Sequence, residues 1–188
     1  SEVVILGGGN SILGLERYRL LGERFYGDRD LFGRILHMRQ DNGKLTAGFS
    51  AGAVQLCEYL AVGASGYPDP YGFALAKNIA VSLHHEYGRE ELINEAAQRF
   101  SDCLAFGLPN DSALAVDQGH LPSGKIWQII EFIIDCSWDI PEDGWHIKTR
   151  QGIKIEHRYC DGRHWTFNGG DKMVRVMFGP EQQAWIVL

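Results

Sequence analysis

The sequence predicts an α/β protein: a three-layer sandwich with a mainly parallel sheet flanked by helices, extended by a C-terminal antiparallel β meander. Three observations carry this expectation. Short apolar runs stop at glycine or serine turns, stretches with helical apolar spacing follow them, and the last third changes to short alternating segments separated by turn residues. At 188 residues the chain has the length of one domain, with residues 1–117 expected as its core and 118–188 as an extension of the sheet.

The elements follow in order. Val3-Val4-Ile5-Leu6 is a continuous apolar run ending at Gly7-Gly8-Gly9-Asn10, the pattern of a buried parallel strand entering a glycine turn. A helix then starts, with Ser11 as its expected cap and Ile12, Leu15, Leu20 and Leu21 at roughly helical spacing as far as Arg24. A second helix is expected over Asp30 to Arg39, closed by Asn42-Gly43. Leu45 to Phe49 reads as a strand that turns at Ser50 into a small-residue helix, Ala51 to Leu60. Residues 61–70 form a loop rich in Gly, Ser and Pro, and Ile79 to Leu83 is the next strand, leading into His84-His85. Leu92, Ile93, Ala96, Ala97 and Phe100 put one apolar face on a helix over Glu90 to Phe100. Strands are expected over Cys103 to Phe106 and Ala113 to Val116, while Lys125 to Ile134 fits neither the helical nor the strand period. Beyond Trp145 the turns Arg150-Gln151-Gly152, Asp161-Gly162, Gly169-Gly170 and Gly179-Pro180 mark a meander, Asp161-Gly162 being the strongest hairpin signal.

Composition narrows the classes. With 45% hydrophobic and 22% charged residues the chain can bury a core and is too weakly charged for a disordered one. A net charge of −6, with no basic run interleaved with aromatics, argues against nucleic acid as a partner. Apolar runs such as Ile129–Ile134, broken by Glu131, fall short of the roughly 20 residues of a membrane span. The first six residues lack the basic and long apolar regions of a secretory signal, so a cytoplasmic protein without membrane association is expected. Cys57, Cys103, Cys136 and Cys160 form no CxxC pair and read as reduced structural thiols. Neither HExxH nor a spaced cysteine set occurs, so no metal and no cofactor is expected. Trp138, Trp145, Tyr159, Trp165 and Trp185 are expected as core and edge cover rather than as a ligand cleft.

The chemistry concentrates at Gly48-Phe49-Ser50-Ala51-Gly52, a GxSxG sequence placed where a strand becomes a helix. A sharp turn there lifts a serine hydroxyl above the sheet, and the amide of the following residue, Ala51, points at a developing oxyanion. A serine needs a base, normally a histidine held by a third group. His84 and His85 follow the end of a predicted strand, on the edge where open α/β sheets bind ligands and where Ser50 and the glycine turn also lie. His84, the first histidine past the strand, is the expected base, and Asp69 in the preceding loop is the expected orienting acid. Gly7-Gly8-Gly9-Asn10 can donate a second oxyanion hydrogen bond or cradle a phosphate, but it is followed by no Lys-Ser/Thr and its spacing is not GxGxxG.

The glycine turn, the Phe49-Ser50-Ala51-Gly52-Ala53 elbow, the histidine after the next strand and Gly107-Leu108-Pro109-Asn110-Asp111-Ser112-Ala113-Leu114 occur in one order. In this the chain resembles the dipeptidase E and cyanophycinase family of serine peptidases over about residues 3–117. The resemblance implies a fold like the class I glutamine amidotransferases, with serine at the elbow. It also implies Ser50 as nucleophile, His84 as base, Asp69 as third member, Gly8 and Ala51 as oxyanion donors, and a small peptide, possibly with an acidic N-terminal residue, as substrate. Asn10 and Asn110 are the candidate substrate-binding positions. Two departures stand against it: several strands usually precede the glycine turn, and an acidic residue usually stands where Asn110 is. The first departure raises the expectation of a homo-oligomer or of a partner chain supplying strands. It also supports an alternative, a catalytically silent binding or assembly subunit. A third reading, an α/β-hydrolase esterase, would use His157 or His164 as base and leaves the glycine turn unexplained.

Overall fold

The computed structural model describes residues 1–61, 69–86, 88, 90–101, 103–135, 153–179 and 182–188. Most of the 61–70 loop, Cys136, Trp138, Trp145, the 150–152 turn and Pro180 lie outside the described residues. The chain packs as two compact units, Ser1–Val81 and Ser82–Leu188.

In the first unit β1 (Val3–Leu6) and β2 (Leu45–Gly48) pair in parallel, Val3 opposite Leu45 and Leu6 opposite Gly48. They are joined through α1 (Ser11–Tyr26) and α2 (Leu31–Asp41), the long crossover that parallel strands need. Leu6, Leu36 and Leu75 are buried, with Val4, Tyr18, Phe32, Leu56 and Phe73 against them. Tyr18 stacks on Phe32 at 4.3 Å between ring centroids. The cap of α1 is Asn10 and not Ser11: Asn10 Oδ1 accepts the Leu13 N–H at 2.9 Å, and Ser11 is the first helical residue. Gly27, at φ 64°, closes the helix in the left-handed conformation that glycine adopts without strain.

The helix after the elbow, α3 (Ala51–Leu56), is shorter than its sequence suggests. Residues 71–76 fold back onto its end: Phe73 N–H bonds Gln55 C=O at 2.7 Å, and Gly72 N–H bonds Glu58 C=O at 3.0 Å. Cys57 pairs with Ala76 and Tyr59 with Tyr71 in isolated bridges. This backbone pairing takes the carbonyls that a longer helix would use, and Gly72 permits it, since a Cβ there would lie 2.3 Å from the Cys57 oxygen.

The expectation of a mainly parallel three-layer sandwich is wrong. Strand outweighs helix among the described residues, 37% against 27%. One sheet runs β3 (Ile79–Leu83), β4 (Leu104–Leu108), β7 (Ile155–Arg158), β8 (His164–Phe167), and its β4–β7 and β7–β8 pairs are antiparallel. A second sheet, β10 (Gln182–Val187), β9 (Lys172–Gly179), β6 (Ile126–Ile134), β5 (Ser112–His120), is antiparallel throughout. The physical reason is in the connections. After α4 (Glu91–Arg99) the chain reverses at tight turns, Gly124 between β5 and β6 and Gly162 between β7 and β8, both at positive φ, and a tight turn can only join antiparallel neighbours.

The ambiguous 125–134 segment is a strand with apolar residues on both faces: Gln128, Ile130 and Phe132 point inward while Ile129 and Ile133 are exposed. Phe132 stacks on Phe167 at 3.9 Å and meets Phe106 edge-on at 5.5 Å, so the inner faces of the two sheets share this part of the core. Helix α4 buries Ile93, Ala96 and Ala97, the i, i+3, i+4 set its sequence predicts. Asp161-Gly162 makes the predicted β7–β8 hairpin, with Gly162 at φ 84°.

Candidate active site

In the first unit the parallel pairing sets the two strand ends side by side. Phe49 N–H continues the ladder to Leu6 C=O at 2.9 Å, and the chain then turns at Ser50, which holds φ 51° and ψ −121°. A side chain at positive φ costs of order 1–3 kcal/mol, and such strain persists only where the surroundings over-determine it. Here two glycines do so. A Cβ on Gly48 would lie 2.5 Å from the Gly52 carbonyl, and one on Gly52 would lie 2.3 Å from the Leu6 oxygen. The elbow therefore requires glycine at both flanks, as close strand-to-helix packing demands.

Ser50 is exposed, and Gly8 lies beside it: a Cβ on Gly8 would be 3.4 Å from Ser50 Cβ and 3.8 Å from Oγ. Ala51 opens α3, so its N–H is one of the amides with no acceptor inside the helix. The next two amides turn back, Gly52 N–H to Phe49 C=O at 3.0 Å and Ala53 N–H to Ser50 C=O at 2.8 Å. Two features that the sequence reading passed over tie the glycine turn to the elbow. Buried Gln55 donates from Nε2 to Ser11 C=O at 2.9 Å, and Gly14 leaves room for it, since a Cβ there would meet Nε2 at 2.2 Å. A glycine inside a helix, which costs about 1 kcal/mol against alanine, is the signal that could have revealed this approach.

Asn10 and Asp69 have partners in the same unit. Asn10 is the cap of α1. Asp69 pairs through Oδ2 with Arg19 at 2.6 Å and accepts the Tyr71 N–H on Oδ1 at 3.3 Å.

In the second unit His84 follows β3 with φ 53° and an exposed ring. Its Nδ1 lies 2.6 Å from Asn110 Oδ1. An amide oxygen only accepts, so Nδ1 is the donor of this pair, and in the neutral imidazole the lone pair that a general base requires then sits on Nε2. Asn110 sits on the turn between β4 and β5, where Ser112 Oγ donates to Pro109 C=O at 2.7 Å and Asp111 holds φ 60°. His85 is different: it is buried, and its Nε2–H donates to Glu156 Oε2 at 3.2 Å.

His157 and His164 do not share that placement. His157 is fully buried, its Nδ1–H donates to Ala105 C=O at 3.1 Å, and burial pushes its pKa down to about 4. His164 Nε2 lies 3.8 Å from Glu156 Oε2, the oxygen that His85 also approaches. Tyr159 and Trp165 flank the Arg163 guanidinium at 4.8 and 5.2 Å.

Cys57 and Cys160 are free thiols, Cys103 is buried, and burial pushes Cys57 up to about 12. Among the described residues no group of three His, Cys, Asp or Glu is placed to hold a metal ion. No helix among them is long and apolar enough to cross a membrane. Compared with known proteins, the chain matches no family model and no curated relative.

Proposed function

We propose that this protein is a serine hydrolase that acts on small peptides with Ser50 as its nucleophile. The observation that carries the reading is the left-handed backbone of an exposed serine between a parallel strand and a helix, flanked by two glycines that admit no side chain. In the proposed reaction Ser50 Oγ attacks the scissile carbonyl and His84 Nε2 takes its proton, then delivers it to the leaving amine. The Gly8 and Ala51 amides would bind the oxyanion, each worth roughly 10²–10³ in rate. Water, activated by the same imidazole, then releases the acid and restores Ser50.

The orienting group in this proposal is Asn110 rather than Asp69, because His84 already bonds Asn110 while Asp69 is paired with Arg19. Exposed His84 is preferred over buried His85 because a base must reach its proton. Peptides, and among them those with acidic N-terminal residues, are suggested by the ordered motifs that resemble dipeptidase E and cyanophycinase.

A fluorophosphonate tests the proposal. Intact mass should show one adduct on the parent protein and none on Ser50→Ala. An absent adduct on both would favour the alternative, a silent binding or assembly subunit working with a second copy or a partner chain. That alternative draws on Val3, Ile5, Leu45 and Phe49, apolar side chains left exposed on the β1–β2 pair.

A further inference from the structure

We infer that Glu156 and His85 form a buried anchor that holds His84 in its left-handed backbone, which makes Glu156 a positioning residue for the base. The inference rests on the proposed role of His84.

The argument begins with strain. A histidine at φ 53° is held against backbone strain, so the residues on either side must be fixed. On the upstream side β3 is a buried strand. On the downstream side everything depends on His85, which is fixed in three ways. Its N–H bonds Leu108 C=O at 3.0 Å, continuing the pairing with β4 past the end of β3. Its ring lies flat over Gly107, where a Cβ would come within 2.4 Å of Cγ and 2.6 Å of Nδ1. Its Nε2–H donates to Glu156, whose side chain is itself buried.

These features have one geometric origin. Gly107 and Glu156 are directly paired across β4 and β7, and directly paired residues project to the same face. The missing side chain at 107 opens the space for the imidazole, and the carboxylate opposite closes it. His85 Nδ1 is buried without a hydrogen-bond partner among the described residues, so the bond to Glu156 is the polar contact that sets the ring's orientation. A carboxylate in a buried site is expensive unless it is hydrogen-bonded, and here the His85 ring supplies that bond. With residue 85 pinned, the turn at 84 directs the neighbouring ring outward to Asn110, and a displacement of about 1 Å in such a base costs on the order of 10²-fold in rate.

The test combines histidine-ring NMR with fluorophosphonate labelling, on the full chain and on Glu156→Leu, Glu156→Gln and Gly107→Ala. In the parent, long-range proton–nitrogen correlations should show His84 protonated at Nδ1 and His85 at Nε2. Glu156→Leu should average the two tautomers of His84 and slow labelling about 10²-fold. Glu156→Gln, which keeps an acceptor for His85, should preserve both signatures. Should Glu156→Leu fail to fold, Gly107→Ala reads the same effect by displacing the ring while leaving the carboxylate in place. Unchanged His84 tautomer and labelling rate in the folded variants would overturn the anchor and leave the hydrolase reading standing. No labelling of the parent, together with a His84 tautomer that responds as expected, would instead remove the hydrolase reading and keep the anchor.

Discussion

His157 is fully buried between the rings of Phe106 and Trp165, and its imidazole is kept neutral because the interior cannot solvate a second proton. Desolvation is the main cause of its low pKa, about 4. The hydrogen bond to Ala105 opposes the shift, and the positive charge of Arg175 and Arg163 adds to it. The folded-state value lies below the unfolded one, roughly 6.5, so the unfolded chain binds the proton more readily. Stability is therefore fully present above about pH 6.5 and is lost as the pH falls towards 4, by about 3 kcal/mol in all. Urea midpoints measured from pH 7 to pH 4 should fall in the parent protein and flatten in His157→Phe. An equal slope in the two would assign the acid sensitivity elsewhere. At this scale the sequence was legible where a residue's type dictates its task, as at Ser50. It was illegible where the partner comes from a distant strand: nothing near His85 in sequence announces Glu156, 71 residues further on.

Elements were legible in proportion to how local their causes are. α4 forms where its apolar spacing places it, because burying Ile93, Ala96 and Ala97 needs only a surface to pack on. The Asp161-Gly162 hairpin forms because glycine supplies the positive φ that the turn needs. By contrast α3 stops at Leu56 although its sequence still reads as helical, since residues 71–76 compete for its carbonyls. β6 hid because both of its faces carry isoleucine, which erases the period of two. The elbow between β2 and α3 yields its own prediction. Gly52→Ala places a methyl 2.3 Å from the Leu6 oxygen, a backbone atom held in the parallel ladder that cannot step aside. Overpacking of this kind costs about 1–3 kcal/mol, and the loss should appear as a lower urea midpoint. Fluorophosphonate labelling should weaken along with it, because the strand and helix cannot separate without moving Ser50. A variant as stable and as reactive as the parent would show that the strand and helix pack less closely than 2.3 Å implies.

At the scale of the whole molecule the sheet was misread for one reason. Alternation of strand and helix over the first half of the chain argues for parallel pairing, and β1–β2 is parallel, but the glycine turns that set antiparallel pairing lie mostly after α4. The division into Ser1–Val81 and Ser82–Leu188 places spectroscopic probes unevenly. All five tryptophans stand after Val81 in the sequence, and Trp127 and Trp165 lie on β6 and β8 of the second unit, whereas α1, α2 and α3 fall in the first. Tryptophan fluorescence is therefore weighted towards the second unit, and circular dichroism at the helix band towards the first. The first unit pairs the short strands β1 and β2 and leaves Ile5, Phe25, Leu45 and Phe49 exposed, while the second buries Phe106, Ile130, Phe132 and Phe167 among β4, β6 and β8. Apolar surface left in water contributes nothing to stability, so the helical signal should be lost at lower urea than the fluorescence signal. Coincident transitions would mean that the two units unfold as one cooperative body, and the stability of the Ser50 elbow would then be that of the whole chain.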